Sequence, residues 1–196
     1  MSDQFWVVNR VGFAILVLAV GSACLAADAM AADTQTTLKQ GDPIGAFYVT
    51  KAGGAVEDGV ENGEELCYRC RYGSSPIVMI FARETGGQVG DLIKKLDAAV
   101  ASNQDHRLRG LLTLLGEDAG ALKTRASELA NQTSVQQVPI AIAKESHTGP
   151  ANYKLSPQVP VTVVLANDSQ VVATHLLDSD QIDVAALMKE IQQMLN

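Results

Sequence analysis

No stretch of this chain is rich in lysine and arginine; the 15 basic residues are scattered among 22 acidic ones. A nucleic-acid partner is excluded on that ground, because neutralising phosphates needs clustered cations. The acidic excess is spread out as well, which reads as solubility rather than as a site for a cationic ligand. Cysteine is equally scarce, with three in 196 residues. There is one CxxC, Cys67-Tyr-Arg-Cys70, and no second pair to complete a closed zinc site. No histidine follows Cys70, so the signature of covalent haem attachment is missing too. No internal repeat and no low-complexity segment is present.

Long apolar runs are confined to the first thirty residues. Val11 to Val20 is continuously apolar after Arg10, and small residues follow up to Ala29-Met30-Ala31-Ala32. That order predicts a secretory signal peptide over 1–31, cleaved at an A-x-A site. An uncleaved anchor and lipidation at Cys24 are the alternatives. The expectation is an exported protein, periplasmic or extracellular, touching a membrane only if the segment is retained or Cys24 is lipidated. Cleavage would remove Cys24 and Trp6, leaving Cys67 and Cys70 as the cysteines of an oxidising compartment.

Residues 32–43 read as a polar, flexible lead-in, and 44–196 as one domain. A first strand is expected over 44–50, then a loop over 52–65 rich in glycine and acid, with the cysteine pair at its end. Ile77 to Ala82 is unbroken apolar sequence, as in a strand covered on both faces. Thr85 to Gln88 has capping-box spacing before the helical period Val89, Leu92, Ile93, Leu96 and Val100. Leu108 to Leu115 and Val138 to Ala143 are further strands, separated by a helix capped at Asp118. Val161 to Leu165 and Val171 to Leu176 flank the turn Asn167 to Gln170, a hairpin. A final helix follows Ser179. The order β-α-β-α-β, then β-β-α, predicts an α/β fold: a central, mostly parallel sheet with a C-terminal antiparallel hairpin, flanked by helices.

Gly41-Asp-Pro-Ile44, the strand 77–82, Val138-Pro-Ile140 and Val159-Pro-Val-Thr-Val-Val-Leu165 through Val171-Val-Ala173 occur in an order that resembles the thioredoxin-fold redoxins, the group of peroxiredoxins and exported thiol-disulfide proteins. The resemblance runs from about Gly41 to the C-terminus. It implies a thioredoxin-like fold, and at Pro160 a cis-proline facing the active site. It also implies a reactive cysteine just after the central strand, at a helix N-terminus where the helix end lowers a thiol pKa. Here that stretch is Phe81-Ala-Arg-Glu-Thr-Gly-Gly-Gln-Val89, without cysteine. The chain is therefore an atypical member by this reading, and standard peroxiredoxin activity is not expected.

The remaining candidate for chemistry is the pair Cys67 and Cys70. As a thiol-disulfide oxidoreductase centre it would act on exported proteins bearing thiols or disulfides. Cys67 would attack, as the first cysteine does in thioredoxin-fold pairs, with Arg69 and Arg71 supporting the thiolate and Tyr68 and Tyr72 sheltering the partner. Two other readings stay open: a non-catalytic interaction module in which the pair is a structural disulfide, and a metal-binding domain. No cofactor and no metal ligand set are expected. His106 and His147 read as solvated loop residues, and His175 as a hydrogen-bonded strand residue.

Overall fold

The computed structural model describes residues 37–196. The expected signal peptide over 1–31, its expected cleavage site and Cys24 lie outside the described residues. Seven strands form one sheet in the order β2-β1-β5-β4-β3-β6-β7. The strands are β1 (Val49–Gly54), β2 (Glu65–Leu66), β3 (Ile77–Ala82), β4 (Arg109–Leu114), β5 (Pro139–Ala143), β6 (Val161–Asn167) and β7 (Gln170–Leu177). The helices are α1 (Tyr68–Tyr72), α2 (Val89–Ser102), α3 (Ala119–Thr133) and α4 (Val184–Leu195).

β3 explains the sheet. Its six residues are all buried, and alternate side chains enter different cores. Val78, Ile80 and Ala82 join the apolar stripes of α2, α3 and α4 on one face. Ile77, Met79 and Phe81 join Phe47, Tyr68 and Tyr153 on the other. A strand buried on both sides has no polar face to alternate with, hence the unbroken apolar run. The crossovers β3-α2-β4 and β4-α3-β5 make two parallel pairings. Every other pairing is antiparallel: β3 with β6, β6 with β7, β1 with β5, and β1 with β2. Parallel order is thus confined to the three middle strands, and the expected mostly parallel sheet is a mixed one.

The N-terminal part departs furthest from expectation. The first strand begins at Val49, not Ile44, and continues through the glycines at 53 and 54. Those glycines are there for packing. A Cβ on Gly53 would come within 2.9 Å of the Ala130 methyl on α3, and Gly54 (φ +63°) lies against the Val138 carbonyl. Such close approach suits glycine alone, so a composition that resembles a loop forms a strand. Residues 38–43, within the lead-in expected to be flexible, are docked together with Ile44. Leu38 and Ile44 are buried, and backbone bonds of 2.8–3.0 Å join Gly41 to Val171, Ile44 to Ser169 and Val171 to Asp42.

Helix caps divide by mechanism. Asp118 accepts from the Ala121 N–H and Asp183 from the Ala186 N–H, both at 2.9 Å. Thr85 caps nothing. α2 starts later, with Gln88 at the cap position making no side-chain bond, and its N–H donates instead to the Ser179 carbonyl at 2.8 Å. A tertiary partner takes the place of the local box.

Candidate functional site

Leu66 ends β2 and the chain turns at once into α1, a five-residue helix lying on the sheet face opposite α2, α3 and α4. Cys67 is the N-cap, and Gly73 closes the helix at φ +61°, a conformation open to glycine. Cys67 and Cys70 are joined in a disulfide, with Cα atoms 5.2 Å apart. The two sulfurs are not equivalent. Cys67 is 9% exposed and its Sγ accepts from the Cys70 N–H at 3.0 Å, whereas Cys70 is on the surface. The ordering inferred for Cys67 as the attacking residue therefore meets a burial pattern that favours Cys70.

Sequence reasoning missed what holds this helix. Lys51, 3% exposed on β1, donates to the Ala55 carbonyl (2.9 Å), the Val60 carbonyl (2.7 Å) and Asp58 Oδ1 (2.7 Å). Asp58 Oδ2 accepts from the Tyr68 hydroxyl at 2.6 Å, and Arg71 Nη2 donates to the Asp58 carbonyl at 2.5 Å. Every donor of the buried ammonium is used, as a buried charge requires. Burial pushes the Asp58 carboxyl up, but hydrogen bonds from Lys51, Tyr68 and the Val60 N–H outweigh it and hold the group below its ordinary value. Burial, then the Asp58 bond, push the Tyr68 phenol far above its usual range. Tyr68 is consequently a fully buried anchor and no shelter for a partner. A lone lysine alternating with apolar residues in Val49-Thr-Lys-Ala52 was the available signal.

Arg69 and Arg71 do not meet the sulfurs through hydrogen bonds. Arg69 donates to the Ile44 and Gly73 carbonyls at 3.4 and 3.1 Å, and Arg71 to Asp58 as above. Both guanidinium groups fasten α1 to its surroundings. Tyr72 stacks against Tyr68 with centroids 5.6 Å apart, and the Arg109 guanidinium stands 5.6 Å from the centre of its ring.

Pro160 belongs to another part of the molecule. Its carbonyl accepts from the Arg83 N–H at 2.8 Å, at the C-terminal end of β3. Leu66, next to Cys67, is in β2, with four strands between it and β6. From α1 the chain enters β3 at its opposite end, through Gly73 to Pro76. Among the described residues no hydrogen bond joins the cysteine helix to Pro160. Nor is the Val159–Pro160 bond cis, as no cis peptide occurs among the described residues. The trans form is the lower in energy for X–Pro, and it delivers Val161 directly into register with Ala82.

The place of the usual redoxin cysteine is taken by polar side chains. The Arg83 side chain donates to the carbonyls of His147 (2.8 Å), Thr148 (3.4 Å) and Ser156 (3.4 Å), and burial pulls its guanidinium below the ordinary value. Arg125 donates to the Arg83 carbonyl at 2.8 Å, and Ser179 to Glu84 at 2.8 Å. A set of polar ties thus occupies the end of β3 where a thiolate would stand.

Of the histidines, His106 and His147 are exposed, and His175 on β7 lies 2.9 Å from Glu190 of α4. Among the described residues no group of three or more His, Cys, Asp or Glu side chains comes together as a ligand set. No helix among them is long and apolar enough to cross a membrane.

The fold as a whole, with β3 between β4 and β6 in its sheet, is similar to that of solved structures. The chain is similar to AhpC of Mycobacterium tuberculosis (TM-score 0.62, 11% identity), over 82% of this chain and all of that one. It is also similar to a protein provisionally assigned as thiol:disulfide interchange protein DsbE of Chlorobium tepidum (TM-score 0.61, 15% identity, the same coverage). This is a thioredoxin fold. The thioredoxin domain of a thiol-disulfide oxidoreductase from Bacteroides vulgatus is a third such structure, with TM-score 0.58, 10% identity, and 82% and 100% of the two chains covered. By sequence, no protein-family profile and no curated protein matches the chain. Within the thioredoxin fold this chain keeps the central sheet and carries its cysteine pair on α1, ahead of β3.

Proposed function

We propose that the protein is an exported thioredoxin-fold protein that exchanges thiols and disulfides with other exported proteins through Cys67 and Cys70. The observation that carries the reading is the asymmetry of the pair: one sulfur at the surface, the other buried and facing a backbone N–H. A partner thiolate attacks Cys70 Sγ, the Cys67–Cys70 bond breaks, and Cys67 leaves as a thiolate stabilised by the Cys70 N–H. A second thiol of the partner then attacks its own sulfur in the mixed disulfide and Cys70 leaves as a thiolate, taking up a proton where the pH requires it. The partner dithiol is oxidised by two electrons and the Cys67–Cys70 pair is reduced; the reverse sequence reduces a partner disulfide. Cys70 is thus the residue that meets the partner and Cys67 the one that resolves.

Replacing one cysteine at a time tests this order. Cys67→Ser, which leaves Cys70 free, should react with an aromatic disulfide reagent at least about tenfold faster than Cys70→Ser, since access governs the attack. It should also be the variant that accumulates mixed disulfides with proteins of the same compartment. The reduction potential of the wild-type pair should fall within about −120 to −270 mV, the range of exchanging pairs. A potential below about −300 mV, with no partner trapped by either variant, would leave the disulfide as a clamp on α1 and end the redox reading.

A further inference from the structure

We infer that a cavity beside the cysteine helix binds an oxyanion, of carboxylate or phosphate type. The cavity, about 340 Å³, lies at the N-terminal ends of β3 and β4; Arg71, Tyr72, Ser75, Arg107 and Arg109 are among its wall residues, and so are Glu57 and Asp58. Its size is at the small end of ligand pockets, which span about 300–1,000 Å³.

Three arginines line one small space, and the guanidinium groups of two of them are held in place. Arg71 is fixed by its bond to the Asp58 carbonyl, and Arg109 by the face of Tyr72. The acidic neighbours do not cancel them. Asp58 spends its carboxylate on Lys51, Tyr68 and the Val60 N–H, and neither Glu57 nor Asp58 is within ion-pair distance of these arginines among the described residues. Arg107 stands at φ +56°, the left-handed region that a non-glycine residue adopts at a cost of about 1 kcal/mol.

The second observation is independent of charge. Ser75 is 5% exposed, and its Oγ has no hydrogen-bond partner. A buried hydroxyl left unpaired costs about 1–3 kcal/mol, and such a group in a native protein calls for an explanation. Ser75 is also a wall residue of the cavity, so an oxygen-rich anion there supplies the explanation: with the serine side chain turned toward the cavity, the anion accepts from its hydroxyl and from the planar forks of the arginines, a geometry for which guanidinium suits carboxylate and phosphate better than ammonium does. The inference does not depend on the redox reading, because it uses neither sulfur.

The source of the anion is either a free small oxyanion or an acidic side chain of a docking protein, and two probes separate them. Inorganic phosphate and a C-terminally amidated tetraglutamate peptide are titrated into the oxidised full-length protein by calorimetry. Saturable binding of phosphate, with the peptide no tighter, supports a small-anion site; peptide binding at least about tenfold tighter supports docking of an acidic segment. In either case Arg107→Gln and Arg109→Gln should each weaken binding about tenfold, Ser75→Ala about threefold, and Lys123→Gln on the exposed side of α3 not at all. The expected losses correspond to one or two charge-assisted hydrogen bonds apiece. Failure of both probes to bind, or binding that the arginine and serine substitutions leave unchanged in folded protein, overturns the inference.

Discussion

Lys51 and Asp58 show how much of this molecule hangs on a single pair. The ammonium is buried on β1, and its partner carboxylate is the hub that receives Tyr68 from the cysteine helix. Removing one member of a buried pair strands the other, at about 3–5 kcal/mol. Asp58→Asn should therefore lower stability at neutral pH by about 3 kcal/mol, near the lower limit because Lys51 keeps two carbonyl partners. The pH dependence has a definite sign. A carboxyl whose folded value is depressed contributes its stability above the ordinary unfolded value, about 3.9, and loses it as pH falls through the folded value. The gap between wild type and Asp58→Asn in urea melts should accordingly shrink below about pH 4. A gap of constant size from pH 7 to pH 3 would remove Asp58 from its role as the ionised hub.

At the scale of elements, β3 and α1 divide the work between framework and chemistry. β3 is the shared wall of both cores, so a change on it is felt on two faces. Val78→Asp places a carboxylate at a fully buried position among apolar side chains, at a cost of several kcal/mol against a total of about 5–15 kcal/mol for a domain. Soluble expression should be lost, and a variant with native circular dichroism and a normal melting temperature would take β3 out of the core. α1 is the opposite case. Five residues cannot hold a helix in isolation, and this one is fixed by Tyr68, Arg69 and Arg71 to Asp58, Ile44 and Gly73. The disulfide adds a short covalent loop to what those bonds already position.

Across the whole molecule the thioredoxin fold has kept its sheet while the end of β3, where its redoxins carry the reactive cysteine, holds polar ties and no thiol. Arg83, Glu84 and Arg125 fill that end with hydrogen bonds to loop carbonyls and to Ser179. Peroxide turnover needs an accessible thiolate with a lowered pKa, and residues 83–89 contain no thiol. Hydrogen peroxide consumption with a thiol reductant should stay at the level of the reductant alone. Turnover at rates typical of peroxiredoxins would show that a different cysteine has taken over the role.

Much of this was legible in the chain. The run Ile77 to Ala82, the helical periods that follow Val89 and Asp183, the cap at Asp118 and the hairpin about Asn167 to Gln170 are local patterns, so β3, α2, α3, the β6-β7 hairpin and α4 could be read in order. The CxxC and the missing cysteine after β3 are equally facts of sequence. Other features depend on partners distant in the chain. Gly53 and Gly54 became strand because α3 and Val138 press on them, and Thr85 lost its cap to Ser179, some ninety residues onward. Which cysteine is buried and where Arg69 and Arg71 spend their donors were settled by packing on the second face of the sheet, and that Pro160 stands apart from the pair was settled by the strand order. A sequence records which groups can donate, accept or be buried; only the assembled sheet and the segments folded over it decide which of them meet.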